Sequence, residues 1–266
     1  MNTPENELST GKLDSSGGVQ SVDRAISVLE ILARSGGAGV SAVAADIGVH
    51  KSTAFRLLGA LEARGLVEQT HERGKYYLSF GVLRLASAIP GRLDLVRQGR
   101  AILDRLAGEF GETANLAVLR SHYVVNLDQA HGTAAVVALN WVAQLTPLHA
   151  TSAGKVLLAY LEDDEAGLLL DTAGLVRFTD HTLTDRAMLA AQLAVVRADG
   201  HATAVDELED GLSTIAVPVR DHSSTVVAAL TISGPGYRLT AARMQEVLEE
   251  LKAGATRISE RLGYLG

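Results

Sequence analysis

The stretch Ser41–Ala63, SAVAADIGVHKSTAFRLLGALEA, constrains this chain more than any other, because it spells two short helices around a tight turn. Ser41 has the side chain of an N-cap, able to accept an orphan backbone N–H. Val43, Ala44 and Ile47 follow at helical spacing, and Gly48 suits the left-handed position just past a helix end. In the second helix Ala54, Leu57, Leu58 and Leu61 share one face at offsets of three and four. Ser52, Arg56, Gly59 and Ala63 fall opposite them, with Thr53 and Phe55 on the flanks. A helix that is apolar behind and small, hydroxylated or cationic in front fits a DNA major groove. A winged-helix module that binds protein has the same pattern, and these residues alone leave it open.

The flanks complete the motif. Ser21 is expected to cap a preceding helix whose buried stripe is Val22, Ile26, Leu29 and Ala33, with Leu32 beside it and Gly36-Gly37 at its end. Downstream, Leu66–Gln69 and Tyr76–Ser79 read as two strands about a turn containing Gly74, with His71, Arg73 and Lys75 at the tip. Three helices and a basic-tipped hairpin make a winged helix-turn-helix. On DNA, Ser52, Thr53, Phe55 and Arg56 would face base edges, Arg56 pairing with a guanine and Phe55 touching a thymine methyl. Lys51, Arg73 and Lys75 would go mainly to phosphates, the competing reading of the wing cations being a solvated turn.

A formal net charge of −7 argues against a DNA binder until it is divided along the chain. Residues 1–19 carry −2, residues 20–81 carry +1 and residues 82–266 carry −6. The acid lies outside the candidate DNA-binding segment, but +1 gives little non-specific attraction, which favours binding as a dimer or larger assembly. Cysteine is absent, which excludes disulfides, thiolate metal sites and thiol nucleophiles. The first residues, MNTPENELSTGKLDSSGG, have neither the basic region nor the apolar core of a secretory signal, and no run reaches the ~18 apolar residues of a membrane span. The expectation is a cytoplasmic protein with no membrane partner. Its divisions would be a disordered tail over 1–18, a DNA-binding domain over 19–81, and a linker helix with a second domain over 82–266.

In the second half, Phe80–Ala88 has the period of a short helix and Leu93–Phe110 that of a longer amphipathic one. Thr113–Leu119, Tyr123–Leu127 and Thr133–Leu139 read as strands. Ser152–Leu161, Glu162–Asp171 and Asp185–Arg197 read as helices, followed by strands at Thr203–Val205, Ser213–Val219 and Val226–Ser233 and a closing helix at Thr240–Leu262. Grouped strands with helices between and after them predict an α+β layer rather than a doubly wound sheet. Gly154-Lys155 is not a phosphate loop, since His149 stands where the first glycine belongs and Val156 where Ser or Thr would meet magnesium. The eight histidines make no pair at three- or four-residue spacing, so a helical metal site is not expected. The acidic runs Glu162–Glu165 and Asp206–Asp210 read as solvated acids rather than calcium ligands. No nucleophile elbow or catalytic pairing emerges, so catalytic residues, metal and cofactor are all assigned as none. An enzyme or a protein-binding scaffold using the second domain remains the alternative to a regulator.

Several separated stretches together resemble one family. SVDRAISVLEIL, HKSTAFRLLGALEARGLVEQ and KYYLSFGVLRLA, then LHATSAGKVLLAYL, VRADGHATAVDELEDGLSTIAVPV and VVAALTISGP, resemble the IclR-type transcriptional regulators in order and spacing. The resemblance implies a winged helix-turn-helix, mainly α, joined by a linker helix to a GAF/PAS-like α/β sandwich that binds an effector. It also implies a double-stranded DNA operator, more often repression than activation, and assembly as homodimers that pair into tetramers. Carried over residue by residue, the effector site falls on Ser152, Ala153, Thr214, Thr231 and Ser233. The chemistry agrees: a helix opening at Ser152 offers unpaired N–H groups to an anion, and Thr231 and Ser233 project from one strand face. A small carboxylate or aromatic acid suits such a site, with Trp141 as a possible wall. Ala204 and Thr214 depart from the polar or acidic residue and the cysteine found in some relatives.

Overall fold

The computed structural model describes residues 20–70, 74–87, 92–133 and 140–266, and the chain divides into two compact units, 1–90 and 91–266. In the first unit, α1 (Gln20–Ser35), α2 (Val40–Asp46) and α3 (Lys51–Ala63) pack around Val28, Ile31, Leu32, Val43, Ala54, Leu58 and Leu61. A three-stranded antiparallel sheet, in the order β1 (Ala38–Gly39), β3 (Lys75–Leu78), β2 (Val67–Gln69), closes this core with the buried Tyr76. Gly74 turns the hairpin at φ +66°. The helix pair is therefore as read, and Gly48 does take the left-handed conformation, at φ +65°.

Two local readings need correction. Ser41 lies inside α2; the N-cap is Gly39, which makes no side-chain bond, because pairing of β1 with β3 fixes the chain up to Gly39 and the helix starts directly from it. Ser21 likewise lies within α1. The buried stripe of α1 is Val28, Ile31 and Leu32, with Ala25 and Leu29 half-buried, whereas Val22, Ile26 and Ala33 are exposed. Apolar residues occupy two helical phases in α1, and the phase that seats against Val43, Leu58 and Tyr76 is the one carrying Val28 and Leu32.

After β3 comes α4 (Phe80–Ser87), a helix where the period of Phe80–Ala88 predicts one. Its second residue donates Gly81 N–H to the Gly65 carbonyl at 2.9 Å, and a Cβ on Gly81 would lie 2.2 Å from that oxygen. Only glycine allows this approach.

The second unit is an antiparallel six-stranded sheet, among the described residues, in the order β6 (Leu145–Pro147), β5 (Tyr123–Ala130), β4 (Thr113–Arg120), β9 (Val226–Pro235), β8 (Leu212–Arg220), β7 (Ala202–Val205). Strand alternation divides its two faces. Leu116, Val118, Ile215, Val217, Leu230 and Ile232 meet α5 (Arg92–Phe110) and α9 (Ala241–Arg261). On the other face the small residues Ala117, Ala216 and Ala229 meet α6 (Ser152–Ala159), which packs with α7 (Asp163–Ala173) and α8 (Arg186–Asp199). The antiparallel α+β layer expected from the sequence is present. The third strand expected at Thr133–Leu139 falls, beyond Thr133, outside the described residues; the strand beside β5 is β6, a segment to which the sequence assigned no element. No helix among the described residues is long and apolar enough to cross a membrane.

Candidate functional site

The polar face of α3 is built by default. Once Ala54, Leu58 and Leu61 are buried, the helical period turns Lys51, Ser52, Phe55 and Arg56 to solvent, with Thr53 half-exposed. Phe55 is 58% exposed. Lys75, at the start of β3, is exposed as well; Arg73 lies outside the described residues. None of the ion pairs among the described residues engages Lys51, Arg56 or Lys75. Three cations are thus left with their full charge directed outward.

In the second unit the five residues proposed for an effector converge. Ser152, Ala153, Thr214, Thr231 and Ser233 all line one cavity of about 50 Å³, together with Trp141. Sequence register explains the convergence. Along the α6 side of the sheet, Ala117, Ala216 and Ala229 are each two residues from Asn115, Thr214 and Thr231, so the small apolar floor gives way to amide and hydroxyls. Asn115 pairs directly with Thr231 across β4 and β9, and Thr214 with Ser233 across β8 and β9. Ala204 is buried opposite Thr214 and does not line the cavity.

The roof comes from α6. It opens at Ser152, as the sequence predicts, with Thr151 as the N-cap: Thr151 Oγ1 accepts from Gly154 N–H at 3.1 Å and donates to the Pro147 carbonyl at 2.8 Å. The Ser152 and Ala153 N–H groups, in the first turn, lack intrahelical acceptors, and both residues line the cavity. A Cβ at Gly154 would lie 2.1 Å from the Leu148 carbonyl oxygen, so α6 sits at this depth only because the residue is glycine. Lys155 is completely buried and bonds Glu207 Oε1 at 2.5 Å and the Thr203 carbonyl at 3.3 Å. Burial pushes its ammonium below the ordinary lysine range, while the Glu207 charge pulls the other way. The Gly-Lys pair is therefore explained by packing. Glu207 begins a loop pinned by hydroxyl donation from Thr182 to the Glu207 carbonyl at 2.7 Å and from Thr179 to the Asp206 carbonyl at 2.5 Å. That loop lays Leu208 against the cavity. His149, 2% exposed, holds the Val176 carbonyl at 2.9 Å, and burial lowers its pKa below the usual histidine value.

Sequence reasoning missed Asn115, Asn126, Thr146, Thr151 and Leu208. Asn115 had a signal, since it is the polar member of an otherwise apolar strand run, ANLAVL. No charged side chain lines the cavity among the described residues, and no cluster of three or more metal-ligating side chains occurs among them. The donors gathered there can hold an anion without any cation.

Known proteins place these features in context. The family described as "IclR helix-turn-helix domain" matches residues 21–71, and "Bacterial transcriptional regulator IclR C-terminal" matches 88–260. The transcriptional repressor AllR of Salmonella paratyphi A is 35% identical over 248 residues, covering 92% of this chain and 91% of that protein. The crystal structure of the Thermotoga maritima IclR superposes with a TM-score of 0.77 at 25% identity, covering 93% of this chain and all of that one. An IclR homologue from Microbacterium hydrocarbonoxydans, complexed with 4-hydroxybenzoate, superposes at 0.73 with 28% identity, covering 91% of this chain and 98% of that one.

Proposed function

Because the chain belongs to the IclR family of transcriptional regulators, a family of DNA-binding and non-enzymatic proteins, we propose how its two units divide the work. Lys51, Ser52, Thr53, Phe55 and Arg56 of α3 enter the major groove, Arg56 reading a guanine, while Lys75 and Arg73 of the wing hold phosphates. The observation that carries this reading is the α3 face itself, where the exposed Lys51 and Arg56 enter none of the ion pairs among the described residues. The cavity takes a small acid, its carboxylate on the Ser152 and Ala153 N–H groups and the Thr231 and Ser233 hydroxyls, with Thr214 beside it. The complex of a homologue with 4-hydroxybenzoate supports an acid.

The regulator acts in the cytoplasm, as a repressor whose operator affinity changes only as far as the acid binds its two states differently. It works as a homodimer or tetramer. A net +1 over residues 20–81 is too little for one copy, and Val22 and Ile26 on α1 and Phe80, Leu83 and Leu85 on α4 stand exposed in a single chain. A gel-shift of the DNA upstream of its own gene, with and without candidate acids, tests the scheme. Retardation relieved by one acid is the expected result; no retardation of any promoter fragment by the purified oligomer would contradict it.

A further inference from the structure

The walls of the cavity are not equally fixed. Asn115, Thr214, Thr231 and Ser233 stand on β4, β8 and β9, inside continuous ladders. Ser152 and Ala153 belong to α6, which the Gly154 contact and the buried Lys155–Glu207 pair hold in place. The loop carrying Leu208 is tied from three sides. Thr179 and Thr182 donate to its first carbonyls, Lys155 to the Glu207 carboxylate, and Gly236 N–H to the Gly211 carbonyl at 2.7 Å.

Trp141 is held differently. β6 pairs with β5 only at Tyr123, Val124 and Val125, and beyond them an isolated bridge from Asn126 to Val142 joins β5 to residues 140–144. Three hydrogen bonds among the described residues fasten this strap to β5, two of them through side-chain amides. Trp141 N–H donates to Gln129 Oε1 at 3.0 Å, Asn126 Nδ2 to the Trp141 carbonyl at 3.4 Å, and Ala143 N–H to the Asn126 carbonyl at 2.9 Å. Further bonds are internal to the strap: Val142 N–H to Asn140 Oδ1, Gln144 N–H to the Trp141 carbonyl, and Gln144 Nε2 to the Asn140 carbonyl. The strap can swing as a unit without breaking these. Val142, Ala143 and Gln144 are exposed, and Ala143 sits at φ +62°, a left-handed conformation that is costly for a residue with a side chain. Local strain and few tethers both lower the cost of opening.

We propose that residues 140–144 are the movable wall of the cavity, swinging Trp141 out to admit a ligand and back to cover it. Gln129, 7% exposed and outside the cavity lining, is the positioning residue that latches this wall. The effector reading above is needed only for what enters; the motion belongs to the chain itself.

Trp141 is the only tryptophan in the sequence, so indole emission reports on the strap alone. The test needs no ligand, which keeps its outcome separate from that of the effector reading. In the full chain, hydrogen exchange at the Trp141 and Ala143 amides is expected to run at least about a hundredfold faster than over residues 113–120. Gln129→Leu should speed exchange at those two amides roughly tenfold and raise acrylamide quenching of Trp141 by about twofold or more, with exchange over 113–120 unchanged. Ala143→Gly relieves the left-handed strain and should slow exchange at the strap roughly three- to tenfold; it serves if Gln129→Leu does not fold. Exchange at Trp141 and Ala143 as slow as over 113–120 overturns the proposal, by showing a rigid wall. A Gln129→Leu variant with unchanged strap exchange and quenching overturns it too. So does one that speeds 113–120 by the same factor, because Gln129 then supports the sheet rather than the strap. An Ala143→Gly variant that exchanges no more slowly than the parent has the same meaning.

Discussion

On α3 the side chains assigned to DNA point away from the packed residues, whereas around the cavity the polar groups assigned to a ligand also hold the sheet and helix together. Arg56 and Lys51 can be exchanged without disturbing Ala54, Leu58 or Leu61 behind them. Asn115 and Thr231 cannot be treated so, because each is a cross-strand neighbour inside the β4–β9 pair, and Thr151 both caps α6 and ties it to Pro147. The first unit keeps the face proposed for DNA and the packed face on opposite sides of one helix. In the second the groups proposed for a ligand are also structural, so replacing them carries a cost to the fold.

The largest effect that sharpens this contrast is expected at Lys155. Lys155→Met leaves the Glu207 carboxylate buried and unpaired, which should cost about 3–5 kcal/mol in thermal or urea unfolding. Adding Glu207→Leu should recover much of the loss. A single-variant cost below about 1 kcal/mol would show that the pair is hydrated and that the cavity unit is less tightly built than described.

Arg56→Ala should do the reverse. Stability is expected to change by less than about 0.5 kcal/mol, while discrimination at one operator position falls by about 1–3 kcal/mol. Equal losses on operator and random DNA would remove Arg56 from the specificity set.

A smaller effect lies in the pH dependence. His149 has its pKa lowered by burial, so the unfolded chain takes up a proton near pH 6.5 that the folded chain resists. Its contribution should be level above that pH. It should decline by at most about 1.4 kcal/mol per unit as pH falls from 6.5 toward the lowered folded value, and then level off. His149→Gln should flatten the decline in a series of melting curves; an unchanged slope would assign it to other groups. The smallest effect is expected at Lys51, where replacement by Ala should weaken all DNA sequences alike and reduce the salt slope by about 0.9.

How far the fold was legible follows the same division. Helices such as α3 and α9 declare themselves because a buried face repeats over three or more turns. The edges β1 and β6, two and three residues long, have no period to read and exist only through their partners β3 and β5. In α1 the period was visible but its phase was not, since two apolar stripes compete and only tertiary packing selects Val28 over Val22. The exposed α3 candidates could be listed from the helical wheel alone. Ser152, Thr214, Thr231 and Ser233 came from family resemblance, and Asn115 escaped because its meaning depends on facing Thr231 across a strand pair 116 residues away in sequence.

The contact of Gly81 with the Gly65 carbonyl has a consequence for how motion can be carried. Gly65 ends the turn after α3, and Gly81 is the second residue of α4, so the two helices are geared backbone to backbone rather than through side chains that could change rotamer. Twisting α4 about its axis must drag the root of the wing with it. The azimuth of Phe80, Leu83 and Leu85 is thereby set relative to the exposed face of α3 proposed for DNA. One residue inserted just after Gly81 would turn Leu83 and Leu85 by about 100° while leaving Phe80 in place, and about seven would be needed to bring the phase back.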